Sequence, residues 1–162
     1  MSDRKRKFSA IEIEMNRVLN VSHPFARAMV QGRKKYELRP YRPYTTLDLK
    51  RFFIAETMSP VKISGVHDDL KRYRPRPGYI LGSIILADSF PLDSSHMNVK
   101  FASECGLTLD GLKQFKKQSK KLYAWVLKDP QKYKRTKLTS EFLLDKKKRG
   151  NVVSKTSDKP IR

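Results

Sequence analysis

The feature that most constrains the fold is a short helix pattern that ends at a glycine and is followed at once by a strand. Apolar residues recur at helical spacing over residues 24–30, and Gly32 comes next. Glycine is a common helix stop because it takes the left-handed conformation without strain. Residues 36–39 then alternate as a strand edge does. The segment therefore predicts a helix, a basic loop and a strand in direct succession.

Three charged side chains leave this junction together, namely Lys34, Glu37 and Arg39. Two cations and a carboxylate this close in sequence can form an ion-paired site for an anionic or amide-bearing ligand. On chemistry alone, the simpler interpretation is a surface ion pair at a turn.

The rest of the pattern predicts several short strands with one further helix. Strands are expected over residues 17–21, 47–55, 61–63, 79–90, 122–127 and 133–138. A helix is expected over 108–121, a helical turn or loop over 66–73, a long loop over 91–99, and a turn at 129–130. Gly82, inside the most apolar run, predicts a bulge or a close backbone approach. Short strands with two inserted helices indicate an α+β fold with a mostly antiparallel, barrel-like sheet.

Charge favours a polyanionic partner. The chain of 162 residues has 36 Lys and Arg against 16 acids, a formal net charge of +20. More than half of the excess lies outside the two basic ends, so the body itself is basic. Such an excess predicts a nucleic-acid partner first. The sequence shows no spanning segment and no basic amphipathic helix with a wide apolar face, so a membrane partner is not expected.

The two ends of the chain and its cysteine content limit which classes of protein remain. Residues 1–16 are expected to be a basic, flexible extension, residues 17–145 one domain, and residues 146–162 a basic disordered tail. The N-terminus has no apolar run of the secretory kind. A single cysteine, Cys105, excludes an intramolecular disulfide and a cysteine-based zinc cluster, and the three histidines lack ligand spacing. We expect an intracellular protein (cytoplasmic, or nuclear in a eukaryote) without a metal or cofactor.

Two stretches interleave cations with aromatic residues. The first contains Arg33, Lys34, Lys35, Tyr36, Arg39, Tyr41, Arg42 and Tyr44, and the second contains Lys71, Arg72, Tyr73, Arg74, Arg76 and Tyr79. This mixture suits single-stranded nucleic acid, because cations follow the phosphates while exposed rings stack on bases. The alternative is that the rings belong partly to the core and the cations only solvate the surface.

The pattern Gly-x-Lys-x-x-Glu-x-Arg at residues 32–39 resembles the signature of the ASCH domain family, relatives of the PUA domains. Residues 21–26, Val-Ser-His-Pro-Phe-Ala, are similar to the family's entry from strand to helix. Residues 78–88 look like its central strand and residues 123–127 like its late strand. The resemblance covers roughly residues 17 to 137. It implies a small PUA-like barrel whose first helix lies beside a cleft, with His23 near that cleft.

The same resemblance raises two enzymatic alternatives, since some small ASCH-like proteins are amidohydrolases of acetylated cytidine and others are described as ribonucleases. The amidohydrolase pattern pairs the motif lysine with a threonine three residues later and with a later glutamate. Here the lysine is Lys34, but Glu37 takes the threonine's place. A carboxylate cannot act as a hydroxyl nucleophile and would instead pair with Lys34. Glu56 and Asp88 are the nearby candidates for the later acid.

The sequence therefore predicts a non-catalytic RNA-binding module of the ASCH type, expected to be monomeric, with a role in RNA processing or transcription regulation. A small hydrolase that uses Lys34 and Glu37 in the same cleft is the alternative. The candidate nucleic-acid-binding residues are Arg33, Lys34, Lys35, Tyr36, Glu37, Arg39, Tyr41, Arg42, Arg72, Arg74, Arg76 and Lys117.

Overall fold

A computed structural model describes residues 18–43, 50–58 and 65–138 of the chain. Within these residues the strands are β1 (Val18–Ser22), β2 (Tyr36–Arg39), β3 (Lys50–Thr57), β4 (Tyr79–Pro91) and β5 (Tyr123–Leu138). The α-helices are α1 (Phe25–Val30), α2 (Val99–Glu104) and α3 (Leu109–Gln118), and short 3₁₀ turns span Asp68–Leu70 and Ser94–His96.

The strands form one curled sheet in the order β1-β3-β4-β5-β2. β1 pairs with β3 in parallel, and the other neighbouring pairs in the described sheet are antiparallel. The sheet is a half-barrel flanked by the helices. The predicted α+β class, with a PUA-like and mostly antiparallel sheet, is confirmed.

Each face of the sheet buries its own apolar cluster, because strand side chains alternate between faces. On the larger side, α1 contributes Met29, which is fully buried with Trp125 of β5 in the main core. A smaller cluster on the other face contains Phe53 and Ile80, with Tyr133 packed against it. The main core therefore fixes α1, and with it the loop that leaves its end, against the sheet.

Strong local signals gave the best predictions. The predicted strand at 36–39 has the bounds of β2, and the predicted strand at 79–90 is one residue shorter than β4. Gly82 faces the neighbouring strand closely, and the β4–β5 register shifts between Ile80 and Gly82. The prediction of a bulge or close backbone approach at Gly82 is therefore confirmed.

The predicted turn at 129–130 is wrong. β5 continues through this point, and the chain absorbs Asp129 and Pro130 as a bulge. Ser83 lies opposite Gln131 and Ile85 opposite Lys128, so three steps along β5 match two along β4. Asp129 takes a positive φ of 46°. A bulge tolerates both the left-handed residue and a proline that cannot donate to the ladder.

The predicted loop over 91–99 is also wrong in part, because it contains the 3₁₀ turn Ser94–His96 and runs into α2. Side-chain caps start both elements. The Asp93 carboxylate accepts from the backbone N–H of Ser95, and the Asn98 side chain accepts from the N–H of Phe101. Both elements start among Asp, Ser and Asn residues, which are equally typical of loops, so the sequence pattern did not distinguish them from a loop.

Some predictions lie outside the described residues: the extension at 1–16, the strand at 61–63, the tail at 146–162, and the start of the strand at 47–55. The turn predicted over 66–73 is present as Asp68–Leu70. None of the described helices has the length and apolar character needed to cross a membrane.

Candidate functional site

A cleft of about 470 Å³ opens beside the start of α1. β1 and the end of β3 form one side of it, the loop after α1 and β2 form its floor, and α3 closes the far side. The residues that line the cleft include Ser22, Phe25, Lys34, Glu37, Arg39 and Phe115.

The floor of the cleft holds the predicted charged trio in direct contact. Nζ of Lys34 lies 3.3 Å from Oε1 of Glu37. The guanidinium of Arg39 donates twice to Oε2 of Glu37, at 2.7 and 3.0 Å. The Lys34 side chain is 3% exposed, that of Glu37 10% and that of Arg39 23%. The three residues therefore form one nearly buried ion-pair network with one excess positive charge.

The end of α1 places Lys34. Gly32 has a φ of +78°, and the N–H groups of Arg33 and Lys34 both donate to the carbonyl of Ala28. This is the glycine stop that the sequence predicted, and it turns the chain so that the Lys34 side chain points inward. Nζ of Lys34 donates to the carbonyl oxygen of Cys105 at 2.8 Å.

The far end of the trio is anchored by β1, where the carbonyl of Asn20 accepts from the Arg39 guanidinium at 2.9 Å. The same guanidinium lies 5.6 Å from the centre of the Trp125 ring. Sequence reasoning found the three charged residues but not these carbonyl acceptors, because backbone carbonyls leave no mark in a residue pattern.

Burial and charge act in opposite directions on Glu37. Burial alone raises the pKa of the Glu37 carboxyl, but the charges of Arg39 and Lys34 and their hydrogen bonds outweigh it and hold that pKa below its ordinary value. Burial likewise lowers the pKa of Arg39, while Glu37 more than compensates and leaves it raised. Glu37 and Arg39 are therefore both ionised at neutral pH.

Cys105 lines the same cleft but carries no charge. Its side chain is buried, and burial raises the pKa of the thiol to about 12. A thiol is nucleophilic as its thiolate, so Cys105 is a poor nucleophile here. Among the described residues, no three His, Cys, Asp or Glu side chains are grouped so that they could hold a metal ion.

Arg33 and Lys35 flank Lys34 but bind α2 instead of entering the cleft. The Arg33 guanidinium donates to the carbonyl and hydroxyl oxygens of Ser103. Lys35 is exposed and lies 3.5 Å from the carboxylate of Glu104. Both contacts hold the loop after α1 against the end of α2.

The described aromatic residues of the first stretch, Tyr36 and Tyr41, pack inward, while Tyr44 lies outside the described residues. Tyr36 stacks on Phe101 with ring centres 4.9 Å apart, and Tyr41 meets the buried Trp125 edge-on. The Arg42 guanidinium lies 5.0 Å from the Tyr123 ring. These rings are partly buried, so they support the cleft from behind.

The second stretch forms the loop before β4. Arg72, Arg74 and Arg76 are exposed, as is Lys117 on α3. The Arg76 guanidinium stacks over Tyr79 at 4.6 Å, and the Tyr73 hydroxyl donates to Gln31. The structure therefore places the predicted cations on several surfaces around the domain, with Lys34 and Arg39 inside the cleft.

Sequence analysis named Glu56 and His23 separately but did not predict that they pair beside the cleft. Glu56 is completely buried, and its Oε1 lies 3.1 Å from Nδ1 of His23, the residue after the cleft-lining Ser22. Oε2 of Glu56 accepts the backbone N–H of Arg76. A lone carboxylate in an apolar strand is the signal that could have found it, because a buried carboxylate needs partners.

The chain is a small half-barrel domain of the PUA-like fold, with a polar cleft beside α1. Among solved structures the chain is similar to the ASCH protein of Zymomonas mobilis, with 23% sequence identity over 83% of this chain and 79% of that chain and a TM-score of 0.57. The chain therefore has the ASCH fold that its motif predicted.

Two variants of the Zymomonas mobilis protein give the same result. One carries a serine-to-alanine and the other a tyrosine-to-phenylalanine substitution. Each is 22% identical to this chain with a TM-score of 0.57, and each match covers 83% of this chain and 80% or 81% of the other. No protein-family model matches the sequence, and no curated protein is significantly similar to it.

Proposed function

We propose that the protein is a single-stranded RNA-binding module of the ASCH type that holds one nucleotide in the cleft, with a role in RNA processing or transcription regulation. The observation that carries this proposal is the cleft itself. The Lys34–Glu37–Arg39 ion-pair network forms its floor, and Phe25 and Phe115 line its walls.

The cleft combines the two kinds of contact that a nucleotide needs. A base has a flat apolar face that stacks on aromatic rings and an edge that forms hydrogen bonds. Phe115 is half-buried and supplies a ring on the α3 side, while Ser22 and Gln118 offer polar groups. The excess positive charge of the floor favours a ligand that carries phosphate. The volume lies within the usual range for small-ligand sites, roughly 300–1,000 Å³.

The charge of the whole chain supports the same ligand class. With a net charge of +20, the protein attracts polyanions before any specific contact forms. The cations of the second stretch, such as Arg72 and Arg74, are exposed and can therefore contact phosphates.

The hydrolase alternative has less support. Nζ of Lys34 already contacts Glu37 and the Cys105 carbonyl, so it is positioned as a buried cation and not as a free base. Glu56 faces His23 and the Arg76 amide. Asp88 is exposed and accepts from the backbone N–H of Ser89. Neither acid joins the Lys34 network.

We expect the affinity for single-stranded RNA to depend steeply on salt. Each neutralised phosphate contributes about −0.7 to the slope of log K against log salt on a single strand. Five or more contacts would give a slope of roughly −3.5 or steeper. Fluorescence anisotropy of a labelled oligonucleotide over a salt series measures it. A slope near zero, or no binding at low salt, would contradict the proposed function.

We expect Phe115→Ala to weaken RNA binding through the cleft, since base–aromatic stacking contributes about 1–3 kcal/mol per base. Binding of polyphosphate, which has no bases, should be unchanged. Phe115→Leu is the matched control, because it keeps the apolar packing of α3 but not the ring. If Phe115→Leu binds RNA as tightly as wild type does, the cleft does not hold a base. The same follows if both variants lose affinity for polyphosphate to an equal extent.

A further inference from the structure

A second groove, of about 380 Å³, lies away from the cleft between α1 and the later half of β5. We call it the basic groove. The residues that line it are Arg27, Arg76, Lys132, Tyr133, Lys134 and Thr136. Four of these six side chains are cations and none is acidic.

The geometry of β5 creates this groove. Lys132 lies opposite Gly82 and Lys137 opposite Ile80, so five steps along β5 match two along β4. The extra residues leave the regular ladder, and neighbouring side chains that would otherwise alternate between faces can line one groove. Tyr133 packs against Phe53 and holds this irregular segment on the sheet.

The four cations have no anionic partner among the residues that the structure describes. Elsewhere in the described residues Arg51 is paired with Asp129, and Lys71 with Asp68. Arg76, Lys132 and Lys134 are exposed, and Arg27 is half-buried. Four like charges around one groove repel one another, and an anionic ligand relieves that repulsion.

The basic groove is joined to the cleft by a short chain of contacts. Arg76 lines the groove, and its backbone N–H donates to Glu56. Glu56 contacts His23, which follows Ser22 at the cleft wall. The Arg76 guanidinium is held in place by its stacking on Tyr79. These contacts place the basic groove and the cleft close to one another near the start of α1.

We propose that the basic groove is a second binding site, which holds phosphates of the same RNA strand whose nucleotide occupies the cleft. This inference rests on the proposed function and extends it to residues outside the cleft, namely Arg27, Lys132 and Lys134. The protein then recognises a nucleotide in the cleft and binds the neighbouring phosphates in the basic groove.

The lining of the groove favours a nucleic-acid backbone over an acidic protein. Protein interfaces need an apolar centre from which water is excluded. The described lining residues of the basic groove include no aliphatic hydrophobic side chain, and the Tyr133 ring is engaged with Phe53. A phosphodiester backbone requires only cations and hydrogen-bond donors, which the groove supplies.

The test compares Lys132→Gln/Lys134→Gln with the control Lys100→Gln/Lys113→Gln, which removes the same charge from exposed positions on α2 and α3. Binding is measured in a salt series with a uridine-rich RNA about twelve nucleotides long. This length lies within the size range of single-strand sites. Loss of two phosphate contacts should make the slope shallower by about 1.4 and weaken binding about 25-fold near 0.1 M salt. The control should keep the wild-type slope, and a dinucleotide should bind all three proteins equally. Thermal unfolding checks that each variant is folded.

The outcomes separate the two proposals. If wild type binds RNA with a steep slope but the groove variant and the control behave alike, the basic groove is not a phosphate site, while the cleft proposal stands. If wild type does not bind RNA, the proposed function fails and the groove proposal with it. A third measurement uses polyglutamate, which stands for an acidic protein. If the groove variant loses polyglutamate binding but keeps RNA binding, the groove binds an acidic protein instead.

Discussion

Glu37→Ala is expected to remove much of the stability of the protein. The substitution leaves the ammonium of Lys34, 3% exposed, and the guanidinium of Arg39 without their shared counter-ion. Removing one partner of a buried pair costs about 3–5 kcal/mol, because the remaining charge is buried without compensation. Arg39 keeps some contact with water, which places the expected loss near the lower end. Urea unfolding followed by Trp125 fluorescence measures it.

A double-mutant cycle tests whether the loss comes from the network. Lys34→Ala should also destabilise the protein, since it leaves a buried carboxylate with one partner fewer. The double variant Lys34→Ala/Glu37→Ala should lose less than the sum of the single losses, because residues in one ion-pair network are coupled. Additive losses would mean that Lys34 and Glu37 do not interact in solution.

Glu104→Ala is the matched control for this cycle. It also removes a carboxylate from a lysine, but Lys35 is 62% exposed and the pair is on the surface. Such pairs contribute about 0–1 kcal/mol. If Glu104→Ala lowered the free energy of unfolding as much as Glu37→Ala does, burial would not explain the stability that the Glu37 network contributes.

Acidification gives an independent readout of the same carboxylate. The pKa of Glu37 is lower in the folded protein than its ordinary value of 4.5, so its ionised form stabilises the fold above that value. This contribution is lost as the pH falls through the lowered pKa. The stability difference between wild type and Glu37→Gln should therefore shrink on acidification below about pH 4.5. A difference that stays constant into acid would contradict the ionised network.

Local signals in the sequence predicted the elements that position the cleft. Gly32 ended α1, and the alternation after it gave β2 with its observed bounds. The Gly-x-Lys-x-x-Glu-x-Arg spacing also identified three residues that contact one another, because Lys34, Glu37 and Arg39 lie within one short loop and strand. Contacts between residues this close in sequence depend little on the rest of the fold.

Features that depend on distant pairing could not be predicted in the same way. The acceptor for Lys34 is a carbonyl 71 residues away, at Cys105. Phe115 reaches the cleft wall because α3 packs there. From the helical pattern of α3 alone, Phe115 would be assigned to the core. The bulge at Asp129 was interpreted as a turn, since Asp-Pro favours both and the sequence does not reveal the partner strand. The basic groove arises from strand register, which a linear pattern does not contain.

Gly82→Ala is expected to disrupt the pairing of β4 with β5. A Cβ at this position would lie 2.0 Å from the carbonyl oxygen of Gln131 and 2.9 Å from Cγ1 of Val30. Both strand and helix would have to shift, and overpacking of this kind costs about 1–3 kcal/mol or more. The larger values apply here, since the nearest atom belongs to the backbone of a neighbouring strand and cannot rotate away. Urea unfolding measures the loss.

Two companion variants identify the cause. Gly78→Ala adds a Cβ that has nothing within 4 Å of it, so its loss reports only the strain of a φ of +84°, which Gly82 does not share. That cost is about 1–2 kcal/mol. Val30→Ala combined with Gly82→Ala removes the contact with Cγ1 of residue 30 but keeps its Cβ at 3.0 Å and the contact with Gln131, so the double variant should not recover stability. Recovery in the double variant would show that α1, and not the close approach of β5, is what requires a glycine at position 82.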